Sequence, residues 1–340
     1  MICCTDPKRA DTGEIRLSVV VPVFNEEENL EELHQRLTRT LENIGYSYEV
    51  IFVDDGSSDA STRMLHRMAD GDERTVIVTF NRNYGQHAAV MAGLEQSVGE
   101  VVVTLDADLQ NPPEEIPRLV EKIDEGYDVV GTRRKRRKDS AFRRLSSKMT
   151  NRVMGGVLKA PMRDYGCMLR AYRRDIVESI CRCNEISTFV PALAVRFAAN
   201  PTEIRVAHEQ RHAGKTKYPF HNLIMLLLDL VTGFSMLPLR LMTVFGILVS
   251  VAGTGFGFFL LIRRLVVGPE VEGVFTLFSL LFVFIGLLFF AMGLMGEYIG
   301  RIYAEVRHRP RFLIKEVYGK RPAGKQPTVF EALTQDRRGV

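Results

Sequence analysis

The sequence has no tryptophan and 5 cysteines (Cys3, Cys4, Cys167, Cys181 and Cys183). No two of them form a Cys-x-x-Cys pair, and the count is odd. The pattern speaks against a disulfide framework and a zinc ribbon, and reduced thiols facing a cytosol are expected. No GxGxxG opens the first predicted helix and no GxxxxGK[ST] occurs, so dinucleotide-binding and P-loop readings lose their main support. HExxH and GxSxG are missing too. The first 16 residues, MICCTDPKRADTGEIR, hold no apolar stretch fit for a signal peptide. With 46% hydrophobic and 25% charged residues, wholesale disorder is out as well.

Charge is absent from two long runs. Leu241–Ile262 has 22 uncharged residues and Gly273–Gly296 has 24. About 20 apolar residues cross a bilayer as a helix. The two runs predict a transmembrane hairpin, with spans at 241–262 and 273–296. Arg240 lies before the first run, and Arg301, Arg307, Arg309 and Arg311 follow the second. Positive flanks face the cytoplasm, so both termini and the large N-terminal part are expected there. Residues 219–240 are apolar but contain His221, Asp229 and Pro238, which predicts interfacial amphipathic helices.

Basic charge is concentrated in residues 133–152, which carry ten Lys/Arg against Asp139 alone. The net charge of the whole chain is only +4, so this block is a candidate site for phosphate groups or an anionic membrane face.

Residues 17–132 alternate strand-like and helix-like segments. LSVVVP (17–22), YEVIFV (48–53), TVIVT (75–79), EVVVTL (100–105) and Tyr127–Val130 read as strands buried on both faces. Asn25 is expected to cap a helix whose first turn is Glu26, Glu27 and Glu28. Strands spaced by single helices predict a parallel sheet, and ligands of such sheets bind beyond the strands' carboxyl ends. Two acidic clusters fall there, Asp54/Asp55 and Asp106/Asp108. Side chains two apart on a strand point the same way, so Asp106 and Asp108 are expected to converge on one hard cation. For Asp54 and Asp59, turn formation is the competing role. His87 could contact a donor or simply pack.

Together VVVPVFNEEENL (19–30), VDDGSSD (53–59), RNYGQHAAVMAGL (82–94) and LDADLQNPPEE (105–115) resemble family 2 inverting glycosyltransferases of the GT-A fold. The two apolar runs match the polyprenyl-phosphate branch. NRNYGQH (81–87), DEGYDVVGT (124–132), DYGCMLRAYRRD (164–175) and GEYIGRIYAEVRHRPRF (296–312) look like the members that move 4-deoxy-4-formamido-L-arabinose. The fold so implied is α/β, a Rossmann-like nucleotide-sugar-binding GT-A domain (17–218) between an N-terminal tail (1–16) and the interfacial helices. The hairpin and a cytosolic C-terminal segment (297–340) follow, the tail beyond Phe312 having no assigned role.

The resemblance implies that Pro22, Asn25 and Glu26 line the nucleotide wall while Asp54 and Asp55 bind uracil and ribose. Asp106 and Asp108 form the catalytic pair, Asp106 beside sugar and ribose, Asp108 with Gln110 on a divalent cation, Mg²⁺ or Mn²⁺. Arg133, Arg137, Arg144, Ser147 and Lys148 receive the acceptor phosphate. Asp164 and Gly166 shape the sugar pocket, and Arg211 and Lys217 reach the diphosphate. The implied reaction transfers 4-deoxy-4-formamido-L-arabinose from its UDP donor to undecaprenyl phosphate at the bacterial inner membrane. It would feed aminoarabinose modification of lipid A and polymyxin resistance. The implied partners are the UDP-sugar, the lipid phosphate, the bilayer and further copies in a tetramer, with no nucleic acid. The alternatives are a glucosyl or other hexosyl transferase to the same lipid and, outside enzymes, a UDP-sugar-binding membrane scaffold. A processive polysaccharide synthase is disfavoured, because its QxxRW motif needs a tryptophan.

Overall fold

The computed structural model describes residues 15–134, 167–183, 189–206, 237–267, 274–307 and 310–319. The chain divides into two compact units, Met1–Lys217 with Pro310–Val340, and Tyr218–Arg309.

The first unit is α/β. Strands β1 (Leu17–Val23), β2 (Tyr48–Asp54), β3 (Thr75–Phe80) and β4 (Val101–Thr104) are separated by helices α1 (Leu30–Ile44), α2 (Ser61–Gly71) and α3 (Gln86–Gln96). A 3₁₀ turn at Pro113–Glu115 leads into α4 (Ile116–Asp124). Then come β5 (Val129–Arg134), β6 (Arg170–Arg173), α5 (Arg174–Arg182), α6 (Val190–Phe197), β7 (Pro201–Val206) and, after the second unit, β8 (Ile314–Tyr318). Every residue of β1, β2 and β3 is buried, as their continuous apolar runs require of strands covered on both faces. Helix α1 covers one face through Leu30, Leu33, Leu37 and Leu41, a helical stripe, and ends at Gly45 in the left-handed region (φ 75°). Helix α3 is buried almost all round, and Gly93 lets it approach β1 at Val20.

The sheet has eight strands in the order β7-β5-β6-β4-β1-β2-β3-β8. The five strands expected between residues 17 and 132 run parallel to one another, and the sheet is mixed because strands from later in the chain join it. Strands β1, β2, β3 and β4 are mutually parallel, but β6 enters between β4 and β5 antiparallel to both, and β8 lies antiparallel to β3. A four-residue strand reading RAYR carries no apolar period that would announce it. The fifth strand is displaced. It starts at Val129 because Asp128 ends the preceding turn, its carboxylate accepting the N–H groups of Ala199 (2.9 Å) and Asn200 (2.8 Å). Arg133 and Arg134 thereby fall within β5, opposite Arg205 and Val206 of β7.

A second correction concerns Asn25. Helix α1 begins four residues later than expected, with Asn29 at its N-cap and Glu31 and Glu32 in its first turn. The Asn25 side chain faces a different loop.

The second unit contains α7 (Leu237–Val267) and α8 (Val274–Val306). Their large apolar side chains are exposed, including Leu248, Phe258, Phe289 and Val306. Among the described residues, Val283–Gly300 of α8 is long and apolar enough to cross a membrane by length and composition, and α7 carries a shorter apolar stretch, Leu239–Gly253.

Candidate active site

Going from β3 to β4 the chain crosses from one side of β1 to the other, so the strand order reverses between β1 and β4. In an open sheet the crevice at that reversal, beyond the carboxyl ends, is the ligand site. The register brings the ends of β1, β2 and β4 to one edge, with Val23 opposite Asp54 and Val20 opposite Thr104. Pro22 is buried in β1 opposite Val53, one residue before the end of the strand.

The loops after β1 and β2 are joined by reciprocal hydrogen bonds. Asn25, with φ 54°, accepts the Ser58 N–H at Oδ1 (2.8 Å), while its own N–H donates to Ser57 Oγ (3.0 Å). The Glu26 N–H donates to Ser61 Oγ (3.0 Å), and the Glu26 carboxylate accepts from Asn29 Nδ2 (2.5 Å). Asp59 accepts the N–H groups of Ser61 (2.9 Å) and Glu27 (3.2 Å). Burial opposes ionisation of Asp59, but the Ser61 and Glu27 donors prevail and hold its pKa below the ordinary value. Asp59 is thus a turn former, the competing role considered for it.

Asp54 and Asp55 do different work. Asp54 is fully buried, and its oxygens accept from the Ser57 N–H (2.9 Å) and the Thr62 hydroxyl (2.6 Å), which fixes the loop into α2. Asp55 points the other way. It accepts the N–H groups of Tyr84 (2.6 Å) and Gly85 (2.9 Å), which fixes the loop between β3 and α3. Burial pushes its pKa up, against those two donors and with the charge of Asp54 adding to the rise. Gly56 (φ 72°) lets the two loops touch, since a Cβ there would stand 2.6 Å from the Arg82 carbonyl carbon. Each carboxylate oxygen has two acceptor sites, so these contacts leave part of Asp55's capacity for a ligand.

Asp106 and Asp108 lie in a turn beyond β4, not on the strand itself, so strand alternation does not apply to them. The outcome is similar, because Ala107 between them is buried while both carboxylates are half-buried. Leu109 (φ 58°) turns the chain, and the Gln110 N–H donates to Asp108 Oδ1 (3.1 Å). Asp106 is held by two amides, accepting from Gln86 Nε2 at 2.6 Å and Asn111 Nδ2 at 3.3 Å. Behind them the buried Cys167 thiol donates to Asn111 Oδ1 (3.4 Å). The Thr132 hydroxyl donates to the Leu169 carbonyl (2.8 Å) beside that sulfur. Gln86 therefore connects the two acidic clusters, one residue after the Gly85 that Asp55 holds. Sequence reasoning assigned no role to Asn111, Thr132 or Cys167, and only the polar asparagine set before two prolines gave a local hint.

The edge thus gathers the oxygen donors of Asp55, Asp106 and Asp108 beside the topological reversal, where an open sheet takes its ligand, and hard oxygen donors suit a nucleotide with its counter-ion. The profile of glycosyl transferase family 2 matches residues 18–181, which include both acidic clusters. An undecaprenyl-phosphate 4-deoxy-4-formamido-L-arabinose transferase of Klebsiella pneumoniae (strain 342) is 53% identical over 305 residues, 89% of this chain and 93% of that protein. The chain belongs to glycosyl transferase family 2. A protein of the same name from Proteus mirabilis (strain HI4320) is 52% identical over 313 residues, 91% of this chain and 96% of that protein.

For this family 2 member the other expected site residues divide as follows. Arg133 is on β5, half-buried. Arg137, Arg144, Ser147, Lys148, Asp164, Gly166, Arg211 and Lys217 lie outside the described residues. Among the described residues no group of three or more His, Cys, Asp and Glu side chains could by itself enclose a metal. A pair of aspartates still fits a hard divalent ion of the kind that takes a carboxylate or two and completes its shell with substrate phosphate and water. His87 packs edge-on against Phe189, ring centroids 5.1 Å apart, and burial pushes its pKa down to about 4. The lowered pKa keeps the ring neutral at neutral pH.

Proposed function

We propose that the protein transfers 4-deoxy-4-formamido-L-arabinose from its UDP donor to undecaprenyl phosphate, with inversion at the anomeric carbon, on the cytosolic face of the bacterial inner membrane. The observation that carries this reading is the 53% identity to a transferase of that name across 93% of its length. The joined acidic clusters at the sheet edge support it independently.

In this reading Asp55 and the loops at Asn25 and Glu26 hold the nucleoside, while Asp54 fixes the loop that presents them. Asp106, oriented by Gln86 and Asn111, faces the ribose and sugar. Asp108 and Gln110 would hold a divalent cation, Mg²⁺ or Mn²⁺, which when bound supplies neutralising charge for the diphosphate. An oxygen of the lipid phosphate attacks the anomeric carbon as its bond to the UDP oxygen breaks, and UDP leaves with the bonding pair. A phosphate monoester has a second pKa of about 6, so at neutral pH it needs no strong general base. That agrees with a His87 ring that is neutral at neutral pH. Arg133 and the rest of the 133–152 block would receive the acceptor, and Arg211 and Lys217 the diphosphate. Helices α7 and α8 would form the membrane hairpin with both termini cytoplasmic, and the assembled enzyme would be a tetramer. The product would feed aminoarabinose modification of lipid A, which lowers its negative charge and gives polymyxin resistance.

The test offers purified protein in nanodiscs UDP-formamidoarabinose, UDP-aminoarabinose, UDP-glucose and UDP-GlcNAc with undecaprenyl phosphate, with and without Mn²⁺. Metal-dependent product from the formamido sugar alone is expected, and Asp108→Ala should abolish it in a folded protein. Product mainly from UDP-glucose would overturn the donor assignment.

A further inference from the structure

The segment after the long apolar helices returns to the first unit, along β3 and the start of the loop that follows it. Strand β8 extends the sheet at β3, with Val317 opposite Val78 and Ile314 opposite Phe80. Just before β8, the Arg311 guanidinium donates to the Cys183 carbonyl, and the Asn81 N–H donates to the Leu313 carbonyl (3.3 Å). Phe312 stacks on Phe80, centroids 5.0 Å apart at 18°. Phe80 in turn meets the Tyr84 ring edge-on at 5.6 Å and 87°. The Tyr84 and Gly85 N–H groups are the ones that Asp55 accepts, and the next side chain, Gln86, donates to Asp106. One short loop, 81–86, is thus held by the returning segment at its start and by both acidic clusters at its end.

We infer that Phe312 is a positioning residue for the donor site, acting through Phe80 and Tyr84 on the loop that orients Asp55 and Gln86. The inference rests on the donor reading given above for Asp55 and Asp106. Aromatic pairs in edge-on and offset geometry are directional, so they fix the orientation of the loop beyond excluding water. Two discrete contacts in series form a continuous physical path, and a double-mutant cycle is the measurement that reveals coupling along it.

The experiment uses the full-length protein in nanodiscs, with UDP and MnCl₂ titrated calorimetrically and donor KM and kcat measured alongside thermal unfolding. Phe312→Ala should weaken UDP binding about fivefold and raise donor KM by a similar factor, with kcat much less affected. Phe312→Tyr should restore both, because it keeps the ring. Tyr84→Leu approaches the same path from the loop side and should weaken UDP similarly, and combining it with Phe312→Ala should add little. A Phe312→Ala protein with a lowered Tm but wild-type UDP affinity would overturn the inference, leaving Phe312 a packing residue. Full additivity of the two substitutions would overturn it too. A wild-type protein that binds no UDP would instead overturn the donor reading and this inference with it.

Discussion

Replacing Gly56 with alanine tests the central claim about the site, that the loop after β2 and the loop after β3 are in backbone contact. Gly56 has φ 72°, a conformation L residues rarely adopt. Holding alanine there costs roughly 1–2 kcal/mol. The added Cβ would also lie 2.6 Å from the Arg82 carbonyl carbon, 2.8 Å from the Asn83 nitrogen and 2.9 Å from the Arg82 Cα. All three are backbone atoms, so no side chain can swing aside and residues 82–83 must shift. They are followed directly by the Tyr84 and Gly85 N–H groups that bind Asp55. Hydrogen bonds to a charged group contribute about 1.5–3 kcal/mol each, so lengthening the pair forfeits a further kcal/mol or so.

The sum is about 3 kcal/mol, or a Tm lower by roughly 6–10 °C for a domain of this size. Gly45→Ala is the internal control. Gly45 has φ 75°, but a Cβ there meets nothing within 4 Å, so it incurs the torsional cost alone. Thermal unfolding of both variants in detergent, with UDP titrated in the presence of Mn²⁺, separates the contributions. Gly56→Ala should lose more stability than Gly45→Ala and should alone weaken UDP binding. Equal Tm losses with unchanged UDP affinity would refute the contact between the loops.

Other sites give independent predictions. At Gly93 a Cβ would lie 2.2 Å from Val20 Cγ1. Gly93→Ala should therefore destabilise by about 1–3 kcal/mol through overpacking, and Val20→Ala in the same chain should recover part of the lost Tm. Asp54→Asn turns one acceptor oxygen into a donor facing the Ser57 N–H or the Thr62 hydroxyl. It should lower stability by about 1–3 kcal/mol, more than Thr62→Val, as measured by chemical unfolding. Burial pushes the Glu95 pKa from 4.5 to about 7, with Arg311 restraining the rise. The folded state then holds a proton that the unfolded state releases, so stability is greatest below about pH 4.5 and falls as pH climbs toward 7. Glu95→Gln should leave the unfolding free energy nearly unchanged at pH 4.5 and raise it at pH 8, by an amount on the order of 3 kcal/mol. An equal change at both pH values would refute the shift.

The part of the fold that was legible in the sequence is the part built from local signals. The apolar runs of β1 to β4 must be covered on both faces, and their carboxyl ends then place Asp54, Asp55, Asp106 and Asp108 at one edge. What was not legible depends on partners distant in the chain. Strand β8, IKEVY, carries the charged Lys315 and Glu316 because it is an edge strand of the sheet, and its partner β3 lies more than 230 residues earlier. Asn25 has the chemistry of a helix cap, but Ser58 offers it a better donor, and a cap reading from sequence could not see Ser58. Cys167 and Asn111 meet behind Asp106 only because β6 lies antiparallel beside β4, and nothing in RAYR announces that direction.

Backbone strain gives a second route to the same edge. Among the described residues, Asn25 and Leu109 are the non-glycine residues with positive φ. They occupy the loops after β1 and β4, the two strands that flank the reversal of strand order. Asparagine visits this region at small cost, and Ser58 secures it there. Leucine does not, and its penalty of roughly 1–2 kcal/mol needs a counterweight. Full burial of the Leu109 side chain contributes about 1.5–3 kcal/mol and offsets it. The turn therefore stays folded because the leucine is anchored inward, and that anchoring leaves Asp108 and Gln110, its two neighbours, half-exposed on the crevice side. Strain that persists in such a turn, compensated by burial of the strained residue's own side chain, is how a fold holds the neighbouring carboxylate in a turn that a relaxed chain would not form.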